Sequence, residues 1–249
     1  MSGHSKWSSI KHKKAALDKK RGKAWSKLSR AIIMAAKSGG NPADNPSLRL
    51  AVDKAKADNM PKDTIEKAIK KGTGELASEN YVDVRYEGYG SGGVAVMCQA
   101  VTDNRNRTGA EIKKIFERAG GNLGSVNCVA FMFHQRGVIL VDAAHASEDR
   151  IMEIALEAGA DDVNTSDQLH EITCVPDAFE TVRDAIKEAG IELQSADLSM
   201  VADTEVTLDL TVARKVMRLI DNLEEHDDVD DVYSNSDIPD DVLKELAND

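Results

Sequence analysis

Apolar residues recur every three or four positions from Ala24 to about residue 72 and every second position beyond residue 80. The change of period divides the chain into a helical part and a strand-rich part. Trp25, Leu28, Ile32 and Ala35 predict a helix that starts near Ala24 and ends at Gly39-Gly40. Lys23, Lys27, Arg30 and Lys37 fall on another face, so this helix offers an apolar stripe to a core and a basic stripe to solvent. Asn45-Pro46 predicts the next start, with Asn as cap and Pro at the first helical position. Leu48, Val52 and Ala55 form its stripe, and it stops near Asn59. Pro61 opens a third helix with Asp63 and Glu66 at capping-box spacing, closed by Gly72 and Gly74. Residues 1–22 are polar, with Trp7, Ile10 and Leu17 as anchors; they read as an arm or a short helix that orders on binding.

From residue 81 the alternation predicts strands over 81–86 and 94–101, joined by Glu87-Gly88-Tyr89-Gly90-Ser91-Gly92-Gly93. A helix over 108–119 and a strand over 126–133 follow. Residues 137–200 read as strand (138–141), helix (147–158), strand (162–165), strand (169–175), helix (176–189) and strand (191–200), the βαββαβ order of a ferredoxin-like unit. A strand over 205–210, a helix over 212–223 and a strand over 229–233 lack nearby partners. They complete the unit begun at residue 80. The fold expected is α+β and multidomain: an N-terminal three-helix domain, then two ferredoxin-like α/β domains, the last inserted into the middle one. The expected boundaries are 1–75, then 76–134 with 204–249, with 135–203 inserted.

Charge changes this picture. Met1 to Lys37 carry eleven Lys/Arg and one acid, Asp18, and so sum to +10. The whole chain is −11, which leaves −21 on residues 38–249. A basic end on an acidic body implies that one end meets a polyanion. Cys98, Cys128 and Cys174 are far apart with no C-x-x-C pair, which argues against a disulfide framework or a thiolate zinc site. Neither a membrane-length apolar run nor a secretory h-region occurs, so a cytoplasmic protein is expected.

Gly88-x-Gly90-x-x-Gly93 matches the dinucleotide fingerprint by letter, but a strand follows where that motif needs a helix. It reads as a glycine-rich hairpin. The six histidines show no catalytic or zinc spacing. Asp227-Asp228-Val229-Asp230-Asp231 lacks the ligand alternation of a calcium loop and reads as a solvated acidic face. Thr102-Asp103-Asn104-Arg105-Asn106-Arg107-Thr108 passes from strand to helix. Its arginines either grip phosphate at the helix N-terminus, or Thr108 caps the helix while Asp103 pairs with Arg105. The candidate nucleic-acid contacts are Lys6, Trp7, Lys11, His12, Lys13, Lys14, Lys20, Arg21, Lys23, Lys27, Arg30, Arg105 and Arg107. No catalytic residue, metal ligand or cofactor is expected.

Met1-Ser2-Gly3-His4-Ser5-Lys6-Trp7, Ile10-Lys11-His12-Lys13-Lys14 and Lys20-Arg21-Gly22-Lys23 resemble the opening of the YebC/PmpR family, which includes the mitochondrial translational activator of cytochrome c oxidase. Asn59-Met60-Pro61-Lys62-Asp63-Thr64-Ile65, Tyr86-Glu87-Gly88-Tyr89-Gly90 and the segment 102–108 extend the resemblance. Two positions depart from it: Ser91 where the family often has proline, and Asn127 where it usually has glycine. Asn tolerates a left-handed backbone, so the turn should survive. The resemblance implies three domains and a non-enzymatic role, either as a DNA-binding transcriptional regulator or as a ribosome-associated translation factor assisting elongation at proline runs. The partner expected is therefore DNA, or ribosomal RNA within the ribosome. No membrane and no small-molecule substrate is expected, and the acidic body suggests a monomer.

Overall fold

The structure, a computed structural model, describes residues 18–77, 80–166 and 169–248. Three helices come first: α1 (Asp18–Ala36), α2 (Pro46–Ala57) and α3 (Lys62–Gly72). They enclose Ile32, Ile33, Leu48, Val52, Met60 and Ile65. α1 starts six residues before the expected Ala24 and runs through Gly22. The Lys, Arg and Ala residues around that glycine are strong helix formers, which offsets the ~1 kcal/mol cost of an internal glycine. Asn45 caps α2 as expected, accepting from the Leu48 amide at 3.0 Å. Its side-chain amide also donates to the carbonyls of Ala35 and Gly39, which ties the start of α2 to the end of α1. The capping box in α3 does not form: Pro61 holds the cap position and Glu66 faces Lys62 at 3.7 Å. A Cβ on Gly72 would come within 2.4 Å of the Ile33 carbonyl, so the close approach of α3 to α1 requires glycine there.

β1 (Val82–Tyr89) and β2 (Ala95–Thr102) form an antiparallel hairpin, and α4 (Arg105–Arg118) leads to β3 (Asn122–Leu123), which pairs with β1. A second sheet follows, built from β4 (Phe133–Asp142), β5 (Asp162–Thr165), β6 (Leu169–Cys174) and β7 (Leu193–Ala202) in the order β5-β6-β4-β7. Its helices α5 (Glu148–Glu157) and α6 (Phe179–Glu188) cover it through Ile139, Ile151, Ile172, Val182 and Ile186. The chain then runs through β8 (Val206–Thr207), α7 (Leu210–Glu224), β9 (Val229–Ser234), β10 (Ser236–Asp237) and α8 (Asp240–Asn248). β9 pairs with β2 and completes the first sheet as β3-β1-β2-β9.

The spatial order of the two sheets is the same, but the chain order is not. In the first sheet the hairpin strand β1 precedes the β2-α4-β3 crossover instead of following it. β2 is buried on both faces. Val96, Cys98 and Ala100 meet α4 and α7, while Ala95 and Met97 meet Val129, Phe133, Met200 and Tyr233. This explains why Ala95–Cys98 is an unbroken apolar run, with Gln99 the one exposed residue of the strand.

Two strand expectations fail. The strand over 126–133 is replaced by turns and a 3-10 segment (Ala130–Met132), and strand geometry starts at Phe133. The strand over 205–210 contracts to Val206–Thr207. α8 is an element beyond those expected, and its Leu243 is buried against the first sheet's core. The hairpin is borne out, with Gly92 and Gly93 at φ +73° and +76°.

Candidate nucleic-acid interface

Lys6, Trp7, Lys11, His12, Lys13 and Lys14 lie outside the described residues, and for Lys20, Arg21 and Lys23 only the helical backbone of α1 is described. The remaining four candidates are Lys27, Arg30, Arg105 and Arg107. Three of them are directed at the chain's own acids and carbonyls.

Lys27 and Arg30 sit one turn apart on α1 and face the end of α7 and the segment that follows it. The Lys27 ammonium donates to the Glu224 carbonyl at 3.0 Å. Arg30 donates to the Asp227 carbonyl and lies 3.9 Å from the Asp230 carboxylate. Burial lowers the Lys27 ammonium below its ordinary pKa, opposed by Asp230 and Glu224. Burial pushes the Asp230 carboxyl up to about 6, opposed by Arg30. The basic stripe expected to face solvent thus packs, at these two positions, on the acidic body.

The 102–108 segment shows the same inversion. Asn104 caps α4, accepting from the Arg107 amide at 3.1 Å, whereas Thr108 points elsewhere. Arg107 donates to Asp103 at 2.9 Å and to Asp228 at 2.8 Å, and the Thr108 hydroxyl donates to the same Asp228 oxygen at 2.7 Å. A helix N-terminus with Arg and Thr donors is an anion site, and here Asp228 fills it. Burial opposes ionisation of Asp228, but the hydrogen bonds from Thr108 and Arg107 outweigh it and hold the carboxyl below the usual range. The expected Asp103–Arg105 pair does not form, since Asp103 takes Arg107; the Arg105 side chain is exposed. The acidic run is therefore not a solvated face throughout: Asp228 is buried, and Asp230 faces Arg30.

Sequence reasoning passed over two features. Glu87 is buried, and its carboxylate accepts from the amides of Asn127, Val129 and Ala130 at 2.8–3.0 Å, with Arg85 at 3.1 Å. Burial opposes its ionisation, but the three backbone donors lower its pKa overall. This clamp takes amides that a strand ladder would need, which is why the 126–133 strand is absent. Asn127 adopts φ +66°, as its tolerance of the left-handed region allows. The second feature is a groove where Arg118 at the end of α4 meets Arg214, Lys215 and Arg218 of α7.

Residues 5–75 match the family model for the N-terminal domain of TACO1/YebC proteins, and residues 81–236 match the model for the second and third domains. The chain belongs to the TACO1/YebC family. A relative from Maridesulfovibrio salexigens is 50% identical over all of both chains, and one from Treponema denticola is 55% identical over 96% of this chain and 97% of that one. Both carry the name "Probable transcriptional regulatory protein". The crystal structure of a conserved hypothetical protein from Aquifex aeolicus has the same fold, with a TM-score of 0.82 and 45% identity over 94% of this chain and 97% of that chain. No helix among the described residues is long and apolar enough to cross a membrane.

Proposed function

We propose that this TACO1/YebC protein is a non-enzymatic, cytoplasmic nucleic-acid-binding regulator, and that it acts on transcription by gripping DNA phosphates through its basic N-terminal region. The observation that carries this reading is the charge divide, +10 on the first 37 residues against −21 on the rest. The structure sharpens which charges are available. Lys27 and Arg30 fasten α1 to the acidic body and Arg107 is held by Asp103 and Asp228, so the contact set narrows to the cations between Lys6 and Lys23 and the exposed Arg105. Lysines are point charges that suit phosphate more than base edges, which favours binding with little sequence discrimination. The names of the relatives support transcription as the level of control. The domain boundaries we propose are 1–75, 76–134 with 204–249, and 135–203; the pairing of β9 with β2 across the intervening sheet supports them.

The test is competition for the full-length protein between a labelled promoter duplex and ribosomes at physiological salt. The expected result is duplex binding that weakens by ~10³–10⁵ between 50 and 200 mM salt if ~6–10 phosphates are contacted. Replacing Lys11, Lys13, Lys14 and Arg21 with Ala should abolish it. Preference for ribosomes, with no discrimination among DNA sequences, would replace transcription by translation. A flat salt response would remove the polyanion reading altogether.

A further inference from the structure

The groove between α4 and α7 is a second concentration of positive charge, far in sequence from the N-terminal one. It is open to solvent and has a volume of about 470 Å³. Arg118, Arg214, Lys215 and Arg218 line it with Ser91, Thr211, Ala119 and Gly120, and no acidic residue is among them. We propose that this groove holds the phosphate backbone of the same nucleic acid that the N-terminal region binds. The proposal rests on that reading and adds a second, structurally defined contact to it.

Three observations carry it. First, the four cations stand together on a body that otherwise sums to strong negative charge. All four are exposed, and among the described residues Arg118, Lys215 and Arg218 form no ion pair. Lys27, Arg30 and Arg107 differ on this point, since each faces an acid or carbonyl of the chain.

Second, the cations are placed against the preferences of their own helix. Arg214 and Arg218 are four residues apart and Lys215 and Arg218 three apart, so like charges repel along one face at a cost of ~0.2–0.5 kcal/mol per pair. They stand at the fifth, sixth and ninth of the fifteen residues of α7, while its last turn holds no base and ends at Glu224. The helix dipole favours cations in the last turn, where this helix has none. The acidic end has a reason inside the molecule, because α1 docks there. For Lys215 beside Arg218, a bound anion supplies the missing reason.

Third, the wall of the groove is bare and firmly held. It is the hairpin turn at Ser91–Gly93, whose serine hydroxyl donates to the Ala119 carbonyl at 3.2 Å. A Cβ on Gly92 would lie 2.8 Å from Val212, so glycine is required where the turn meets α7. A bare wall beside four cations lets a polymer backbone pass, whereas an enclosed cavity would suit a small metabolite better. Position along α7 agrees with this. The groove residues 211–218 lie six to thirteen residues from Glu224, where Lys27 of α1 docks. At 1.5 Å per residue that is roughly 10–20 Å along the helix, the length of about three to six phosphates of one strand at ~3.4 Å each. One nucleic acid of that length therefore spans the groove and the end of α7 where α1 docks.

The experiment compares the full-length protein with a variant carrying Arg118→Gln, Lys215→Gln and Arg218→Gln, leaving Arg214 in place. The probes are a labelled 30-base-pair duplex, a ribosomal RNA fragment and tripolyphosphate, each titrated over a range of salt. The expected result is a slope of log affinity against log salt that is shallower by ~2–3 for the variant, about 0.7–0.9 per lost phosphate, with affinity at physiological salt down about tenfold or more. A variant that keeps the wild-type slope, while the N-terminal Lys/Arg-to-Ala protein loses binding, overturns the groove and leaves the proposed function standing. Wild-type protein that binds neither nucleic acid overturns both. Saturable tripolyphosphate binding that the variant loses, with duplex and RNA binding unchanged, replaces the polymer by a small anion and also overturns the proposal.

Discussion

Lys27 and Arg30 on α1 and Lys215 and Arg218 on α7 are the same pattern in different surroundings. Each pair is spaced by three residues on a helix, so each presents two cations on one face. The first pair meets the Glu224 and Asp227 carbonyls and the Asp230 carboxylate. The second pair meets solvent, with Arg214 beside it on α7 and Arg118 across a groove. A cation's role is thus set by what the fold places opposite it. The first pair secures the basic helix to the acidic body, and the second remains available to an external anion.

The largest effect that tests this contrast is expected at Arg30, which is 9% exposed. Replacing it with Met keeps the bulk but leaves Asp230 without its nearest cation. Removing one partner of a buried pair costs about 3–5 kcal/mol. The lower end applies here, because the 3.9 Å separation is long and the Asp230 side chain retains 23% exposure. Urea unfolding of the full-length protein measures it. A change below about 0.5 kcal/mol would place Arg30 with ordinary surface residues and dissolve the distinction between the two pairs.

The same contrast shows what the sequence could disclose. Helices α2 and α3 and, apart from the first half of β4, the strands of the second sheet were legible, because their signals are local: Asn45-Pro46 for a start, Gly72 for an end, alternation for strands. The charge divide also named the basic end. Pairing between distant segments was not legible. Val126–Phe133 carries enough apolar residues for a strand, but Glu87, some forty residues earlier, takes its amides. Asp227–Asp231 looked like a solvated run because nothing nearby in sequence announces Arg30 or Arg107 as partners. The letters Arg214-Lys215-x-x-Arg218 were visible, but only the packing of α4 beside α7 adds Arg118 and forms a groove.

pH provides a second test of the docked pair. Asp230 titrates at about 6 in the folded chain against an ordinary 3.8. Between those values the folded state holds the extra proton, so acidification from pH 7 toward pH 4 stabilises the protein through this residue. Asp228 and Glu87 act in the opposite direction. Their carboxyls are held low, so their stabilising effect is present above the ordinary carboxylate range and is lost as pH falls through their folded values. The stability of the wild type relative to Asp230→Asn should therefore rise between pH 7 and pH 4, by an amount that thermal unfolding of the two proteins in parallel would show. A difference independent of pH would mean that α1 does not bury this carboxylate.

The smallest expected effect belongs to the second pair, and its sign is the informative part. Lys215→Gln or Arg218→Gln touches exposed side chains, so stability should change by no more than ~0.5 kcal/mol. Each substitution also relieves the like-charge repulsion between neighbours on α7, which is mildly unfavourable in the free protein. The variants should therefore be equal to or slightly more stable than wild type at low salt, with the gain fading as salt screens it. Arg30→Met should instead stay destabilised at every salt concentration, because buried charges are screened far less. If Arg218→Gln costs about 1 kcal/mol or more, the groove cations are holding the fold together, and a phosphate backbone is no longer needed to account for them.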